Sequence, residues 1–517
     1  MTIELRGYQT NINQAVFDAW DFGHDNTLMV LPTGAGKTVC LSSIVHQEPG
    51  AVCVIAHRQE LVSQLSLSLA KNGIYHRIIA PKKTISMIMK MHIIELGKSF
   101  YNFQSHVAVA GVDTLVRRHD ELASWLPTVK LWVIDEAHHL LSKNKWGKAV
   151  EMFPNAKGLG VTATPLRADG NGLGADNDGE IHKMVVGPSM RDLIDQGFLT
   201  DYRIFAPSNN IDMSDARVSK ATGDYNKFDV SNAVAKSSLV QHTGTTVIGD
   251  VVEHYIKIAS GKLGITFVPD METGHEIVAQ FNSVNIPATI LNAKTPDNER
   301  AEILRKFARK EFMQIVNVDI LGEGFDCPAI SVVSMARPTQ SYGLYVQQFG
   351  RALRILEGKT HGIIIDHVGN VARHGLPDAP RNWSLERTKK NQEDVVMPVK
   401  TCPMCTYTFE KYIKACPECG YIPIPASRDN IKFVDGDLNE LSPEVLAQMR
   451  GEIDKVDSPI HEQLHKYRQQ LEASYTKPMH VLAHVKRMSH KLEHQQESQV
   501  KLREKMAWWA GHRRIWC

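Results

Sequence analysis

Short apolar runs recur along the chain: Thr27-Leu28-Met29-Val30-Leu31, Leu131-Trp132-Val133-Ile134, Gly264-Ile265-Thr266-Phe267-Val268, Gln314-Ile315-Val316-Asn317-Val318 and Gly362-Ile363-Ile364-Ile365. A short continuous apolar run is the signature of a strand buried on both faces. Helical periodicity fills the intervals, as in the pattern through Leu41 and Ile44 after the first run. Strands of this kind alternating with helices predict an α/β protein with parallel sheets and its chemistry at the strand C-terminal ends. Near position 350 the stretch QQFGRALR has helical spacing. It places Gln347, Arg351 and Arg354 on one face, at i, i+4 and i+7, with Val346, Phe349 and Leu353 on the buried side. Two guanidiniums on one stripe call for an anion or for solvent between them.

At 517 residues the chain should hold more than one domain. It is 43% hydrophobic and 22% charged, as soluble proteins are, and its net charge of +2 means any basic surface must be local. No run of about 18 apolar residues exists, and the polar start MTIELRGYQT has no signal-peptide core, so a cytoplasmic location is expected. Of the eight cysteines, those at 402, 405, 416 and 419 are tightly clustered, which in a cytosolic protein favours a metal over disulfides.

The first apolar run leads directly into Pro32-Thr33-Gly34-Ala35-Gly36-Lys37-Thr38, and a helical pattern follows. Strand, glycine-rich turn and Lys-Thr opening a helix is the context of a P-loop, whose backbone N–H groups close on phosphate oxygens. Lys37 would reach the outer phosphates and the Thr38 hydroxyl would ligate Mg2+. The strict pattern asks for glycine where this chain has Leu31. A second run ends in Asp135-Glu136-Ala137-His138. Two carboxylates closing a buried strand are costly unless they meet a cation or a positive partner. Asp135 is placed to hold Mg2+ through water, and Glu136 to orient the water that attacks the γ-phosphate of ATP.

With both elements in hand, the chain resembles the superfamily 2 helicases of the DEAD/DEAH-box kind. Leu5-Arg6-Gly7-Tyr8-Gln9 is similar to the Q-type motif, Ala56-His57-Arg58-Gln59-Glu60-Leu61 to motif Ia, Gly111-Val112-Asp113-Thr114-Leu115 to motif Ib, Thr162-Ala163-Thr164-Pro165 to motif III, Gly324-Phe325-Asp326-Cys327-Pro328 to motif V, and QQFGRALR to motif VI. The resemblance implies two tandem RecA-like domains with ATP in the cleft between them. Arg351 and Arg354 would be arginine fingers joined by Gln347, closing on the γ-phosphate. It implies that Gln9 reads adenine, and that Arg6, Thr33, Gly34, Ala35, Gly36, Gly324 and Asp326 help hold the nucleotide. It further implies that His138, Thr162 and Thr164 couple hydrolysis to movement, and that His57, Arg58, Gln64 and Thr114 touch the nucleic-acid backbone.

The expected divisions are a first RecA-like domain at 1–205, a connecting segment at 206–244, a second domain at 245–372, a linker at 373–394, a zinc ribbon at 395–425 and a helical basic tail at 426–517. Asp169-Gly170-Asn171-Gly172-Leu173-Gly174 with Glu180 comes near a calcium loop, but Leu173 occupies a ligand position and calcium is rejected. Asp366-His367 ends a strand and is read as a pair supporting the domain interface.

Cys402-Pro403-Met404-Cys405 and Cys416-Pro417-Glu418-Cys419 are two knuckles able to complete a tetrahedral thiolate site, pointing to structural Zn2+, with iron possible on the same ligands. With every position a cysteine, no open site is left for catalysis. A DEAH core followed by such a ribbon resembles RadD-type bacterial and phage DNA helicases, which implies a role in DNA repair, recombination or replication, with single-strand-binding or recombination proteins as partners. DNA, single-stranded or branched, is the expected nucleic acid; RNA stays open. No membrane contact and no small-molecule substrate beyond ATP are expected. From His484 onward eight Lys or Arg face three Glu, with Trp508, Trp509 and Trp516 among them. This tail either tracks phosphates and stacks bases or docks its tryptophans on the core.

Overall fold

The computed structural model describes residues 3–422, apart from 168, 207–212, 214–215, 220–223, 240–246, 293, 319–326 and 388–398. Gly324, Asp326 and the whole basic tail with its tryptophans lie outside the described residues. Among those described, no helix is long and apolar enough to cross a membrane.

The apolar runs become two parallel sheets. In the first, β1 (Asn26–Val30), β2 (Ala51–Ala56), β3 (Arg77–Ile79), β4 (Val107–Gly111), β5 (Val129–Asp135), β6 (Lys157–Thr162) and β7 (Lys183–Val186) lie in the order β3-β4-β2-β5-β6-β1-β7. Leu28, Met29, Val30, Trp132, Val133 and Ile134 are buried, as runs covered by helices on both faces must be. The neighbours β5, β6 and β1 are in parallel register, Asp135 opposite Val161 and Thr162 opposite Val30. The residues that follow these strands therefore emerge side by side at one end of the sheet, which is where the sequence placed its chemistry.

The second sheet holds β8 (Asp201–Phe205), β9 (Gly264–Phe267), β10 (Ala288–Asn292), β11 (Gln314–Val318), β12 (Val332–Met335) and β13 (His361–Asp366), in the order β10-β11-β9-β12-β13-β8. Here the structure differs from the expected division. Asp201–Phe205, assigned by sequence to the first domain, pairs in parallel with His361–Ile365 as an edge strand of the second sheet. The connecting segment carries a helix, Lys227–Leu239. Asp224 ties it to the second domain by accepting from Thr339 Oγ1 at 2.9 Å and the Gln340 N–H at 2.7 Å. Asp366 bonds within the second domain. Its carboxylate accepts from the N–H groups of Val368 (3.2 Å) and Val371 (2.7 Å), organising the turn into the helix Asn370–His374.

The expected linker is not free either. Asp378 accepts from Tyr202 Oη at 2.5 Å and Arg191 Nε at 2.7 Å, and the Arg381 guanidinium lies 3.7 Å from the ring centre of Tyr342. Trp383 and Leu385 then pack on the core of the first sheet, and the Gly174 N–H donates to the Leu385 carbonyl at 3.0 Å. Arg387 forks onto Asp178 with bonds of 2.7 and 2.5 Å. The chain leaving the second domain thus crosses back to the first. The ribbon that follows is built on the hairpin β14 (Val399–Thr401) and β15 (Thr408–Glu410). It covers the free edge of β8: the Ala206 N–H donates to the Thr406 carbonyl at 3.0 Å, the Phe205 and Tyr407 rings lie 5.7 Å apart, and Arg203 pairs with Glu418 at 2.8 Å.

Candidate active site

The turn after β1 needs two left-handed residues, and both are glycines: Gly34 at φ 88° and Gly36 at φ 80°. Gly36 starts the helix Lys37–Gln47 without any side-chain cap, so its first N–H groups remain available to an anion. Thr33 is buried and its hydroxyl makes no hydrogen bond within the chain, as a group reserved for a polar ligand would. The Q-type residues brace this loop. Gln9 Nε2 donates to the Ala35 carbonyl at 3.1 Å, Tyr8 Oη donates to the same oxygen at 2.8 Å, and Gln9 Oε1 accepts from the Arg6 N–H at 3.0 Å. The Arg6 guanidinium stacks 5.0 Å from the Phe198 ring centre. Gln9 keeps one donor and one acceptor site for a further partner.

At the end of β5, Glu136 takes a left-handed φ of 55°, a strained backbone for a non-glycine residue, and its N–H donates to Asp135 Oδ1 at 3.0 Å. The bend buries the Glu136 side chain, leaving the residue 8% exposed. Burial alone would push this carboxyl up. His138, whose Nδ1 is 3.4 Å from Oε2, and the Lys37 ammonium outweigh it, holding the carboxyl below its ordinary value and ionised. His138 Nδ1 also lies 3.2 Å from Thr162 Oγ1, which donates to the Thr164 carbonyl and accepts from the Thr164 N–H, both at 3.2 Å. The expected coupling residues His138, Thr162 and Thr164 are therefore linked by hydrogen bonds, and His138 also stands at ion-pair distance from Glu136.

Motif VI departs from the sequence reading. The α-helix spans Tyr342–Phe349 and tightens into a 3-10 turn over Gly350–Ala352, so Arg351 and Arg354 do not share a helical stripe with Gln347. Val346, Phe349 and Leu353 are buried as expected, but so are Gln347 and Arg351, each 4% exposed. The segment faces inward on both sides because it is pressed against the first domain. A Cβ added at Gly350 would fall 2.5 Å from Thr33 Cγ2, one at Gly343 would fall 3.0 Å from Thr164 Oγ1, and one at Gly34 would come within 4.0 Å of Arg354 Cγ. Motif VI rests directly on the P-loop and on motif III.

Residues 2–167 match the family model described as the res subunit of type III restriction enzymes, and residues 248–356 match the helicase conserved C-terminal domain. A 51.5 kDa protein of a Lactococcus phage is 30% identical over 398 residues, covering 75% of this chain and 76% of its own length. The chain belongs to the superfamily 2 helicases. It is accordingly an ATP hydrolase, and its two sheets are the tandem RecA-like domains of that superfamily. A Saccharomyces cerevisiae protein provisionally named ATP-dependent helicase IRC3 is 29% identical over 73% of this chain, which spans only 53% of that relative. The DNA 3'-5' translocase XPB2 of Sulfurisphaera tokodaii is 25% identical over 68% of this chain and 79% of its own length.

The residues expected to touch nucleic acid follow the neighbouring strands β2 and β4, whose ends pair Ala56 with Gly111. Arg58 is exposed at the start of the helix Gln59–Lys71, Gln64 is half-buried on that helix, and Thr114 is buried on the helix Val112–Arg117. His57 turns inward, with its ring centre 5.1 Å from that of His139 and 6.1 Å from that of Trp146. Burial, with Arg58 nearby, pushes its pKa down to about 4, so it is neutral at pH 7. Sequence reasoning missed Glu60, which pairs across the domains with the nearly buried Arg300 of the helix Asp297–Ala308. Its only sequence signal was its place inside motif Ia.

The four clustered cysteines converge as the spacing demanded. Their sulfurs all lie within 4.8 Å of one another, with Cys402 to Cys419 and Cys405 to Cys416 both at 3.6 Å. A tetrahedral zinc with bonds of about 2.3 Å requires edges of roughly 3.8 Å, so the set fits Zn2+. The knuckles are near copies. Thr406 at φ 58° and Gly420 at φ 72° each donate an N–H back to the first cysteine's carbonyl at 2.9 Å. Each first cysteine in turn donates its N–H to a tyrosine carbonyl, Tyr407 at 2.9 Å and Tyr421 at 2.8 Å.

Proposed function

We propose that this helicase is a DNA-dependent motor that hydrolyses ATP between its RecA-like domains and couples turnover to movement along, or unwinding of, DNA in repair, recombination or replication. The contact of motif VI with the P-loop, Gly350 over Thr33 and Arg354 beside Gly34, carries this reading, because it brings groups from the second domain onto the P-loop of the first. The residues Thr33 to Thr38 hold the phosphates of ATP, with Lys37 on the outer ones, and Arg6 and Gln9 lie toward the base. Thr38 and Asp135 would hold Mg2+, which when bound would neutralise the charge developing on the phosphates. Glu136, kept ionised, orients the attacking water. Arg351 and Arg354, with Gln347, meet the γ-phosphate from the second domain, and Gly324 and Asp326 of motif V complete that side.

The chain Glu136–His138–Thr162–Thr164 ends against the motif VI helix at Gly343, so a change at the carboxylate reaches the second domain through contacts already in place. DNA rather than RNA is supported by the restriction-enzyme family model, by the relative named a DNA translocase, and by Gln-Gln opening motif VI where DEAD-box RNA helicases have His-Arg. The same relative supports the second reading, a duplex translocase that moves without separating strands. The zinc held by Cys402, Cys405, Cys416 and Cys419 shapes a surface and takes no part in chemistry.

The test compares ATP turnover of the full chain with single-stranded DNA, duplex, forked DNA and RNA, beside a strand-displacement assay. Stimulation by DNA with displacement supports the helicase, and stimulation by duplex without displacement supports the translocase. Stimulation by RNA alone, or turnover indifferent to nucleic acid as for a DNA-binding adaptor with a regulatory ATPase, would overturn the proposal. Lys37→Ala should lose ATP binding and turnover together, whereas Glu136→Gln should bind ATP and stall.

A further inference from the structure

Because the helix carrying motif VI stops at Phe349, helical geometry does not fix the position of Arg354. Its backbone is held by other means. The Thr200 N–H donates to the Leu353 carbonyl at 2.8 Å, and Thr200 Oγ1 donates to the Arg354 carbonyl at 3.1 Å. Lys359 Nζ donates to that same Arg354 carbonyl at 2.9 Å, to the Ile330 carbonyl at 2.6 Å and to the Pro328 carbonyl at 3.3 Å. Pro328 closes motif V and Ile330 lies just beyond it. An ammonium carries three N–H donors, and here all three point at carbonyls from two different motif segments.

We propose that Lys359 is a positioning residue of the ATPase, its ammonium clipping the exit of motif V to the exit of motif VI so that Arg354 meets the P-loop in register. This rests on the reading above that Arg354 serves the γ-phosphate. Lysine suits the task because three carbonyl dipoles converge on one compact charge, with no carboxylate among the described contacts to draw it aside. Among the described residues, the charged or titratable groups facing it are Arg354 from motif VI and Cys327 from the motif V side. Burial first, and then the Arg354 charge, push the Lys359 pKa down to about 8, against a smaller opposing effect of Cys327. A neutral amine has only two N–H donors, so one carbonyl is released as pH rises through that value.

The experiment measures kcat and KM for ATP from pH 6.5 to 9.5 on the full chain, with Lys359→Met, Lys359→Arg and Arg354→Ala alongside. Lys359→Met should lower kcat by roughly 10- to 100-fold, the scale of a misplacement near 1 Å, with KM little changed. The parent should lose kcat on the alkaline side around pH 8. Lys359→Arg, charged throughout, should lack that limb whatever its absolute rate. An alkaline limb that persists unchanged in Lys359→Arg overturns the proposal, as does Lys359→Met turning over at the parental rate. If Lys359→Met fails to fold, the Lys359→Arg profile still decides. Arg354→Ala separates the two layers. A parental rate there defeats the finger reading itself, whereas a slow Arg354→Ala beside a parental Lys359→Met defeats only the clip.

Discussion

Gly350→Ala offers a clean way to hold the two RecA-like domains apart. Gly350 sits at φ −63° and ψ −12°, a backbone any residue adopts, so alanine costs the second domain little by itself. Across the cleft, the new Cβ would fall 2.5 Å from Thr33 Cγ2 and 2.6 Å from Thr33 Cβ. Thr33 is short, β-branched and fixed in the P-loop turn, so it cannot swing aside. Restoring an ordinary contact of 3.4 Å from 2.5 Å requires the surfaces to part by about 0.9 Å. Since displacement of a catalytic group by about 1 Å costs on the order of 10²-fold in rate, turnover at saturating ATP should fall by about that factor while the melting temperature stays near the parent's. Gly343→Ala is the graded control. Its Cβ meets Thr164 Oγ1 at 3.0 Å, so it demands less separation and should slow turnover far less. A Gly350→Ala enzyme with parental turnover would show that motif VI does not approach Thr33 in the working cycle, and the arrangement of the cleft would be wrong.

The ribbon should hold one Zn2+ per chain by elemental analysis. Chelation or Cys402→Ser should speed hydrogen exchange at the Ala206 amide, whose acceptor is the ribbon's Thr406 carbonyl; unchanged protection would sink the link between metal and edge strand. Acid should weaken the first domain through His76, whose Nε2 accepts from Ser66 Oγ at 2.6 Å while its Nδ1–H donates to the Ile74 carbonyl at 2.9 Å. Burial holds its folded pKa down to about 4, so the unfolded chain takes up a proton below about pH 6.5 while the folded one does not. Stability present above pH 6.5 is then lost as pH falls toward 4, at up to about 1.4 kcal/mol per pH unit, and urea unfolding of His76→Gln should show a shallower loss.

The strands were readable because parallel strands buried on both faces are mostly apolar, and Gln314–Val318 was placed to the residue. The strand β8 was not, because an edge strand is half polar: Asp201, Tyr202 and Arg203 dilute its pattern, and its partner β13 lies some 160 residues away in sequence. The P-loop, the DEAH segment and the cysteine knuckles were legible because each is a local motif whose geometry follows from neighbouring residues. In motif VI the burial of Val346, Phe349 and Leu353 was read correctly, but that of Gln347 and Arg351 and the element itself were not, since the helix ends where Gly350 meets Thr33, a contact from another domain. The same limit hid the inward turn of His57 onto His139 and the docking of Trp383 and Leu385, two apolar residues in an otherwise polar run. The repeat Cys-Pro-x-Cys-x-Tyr, present at both knuckles, was there to be seen, and it marks the carbonyls at Tyr407 and Tyr421 that close each loop.

The path of the polypeptide has a mechanical consequence. It passes from the first sheet into β8 beyond Val186, comes back to the first domain at Trp383 to Arg387, and reaches β8 a second time with the ribbon. Two lobes joined by one thread can swing and twist about it freely, whereas lobes laced at several points keep chiefly the rotation about the line through the stitches. The lacing therefore favours opening and closing along one arc, returning the lobes to the same alignment after each stroke. In the DNA motor proposed above, the length and direction of the stride would then be a property of how the machine is sewn together.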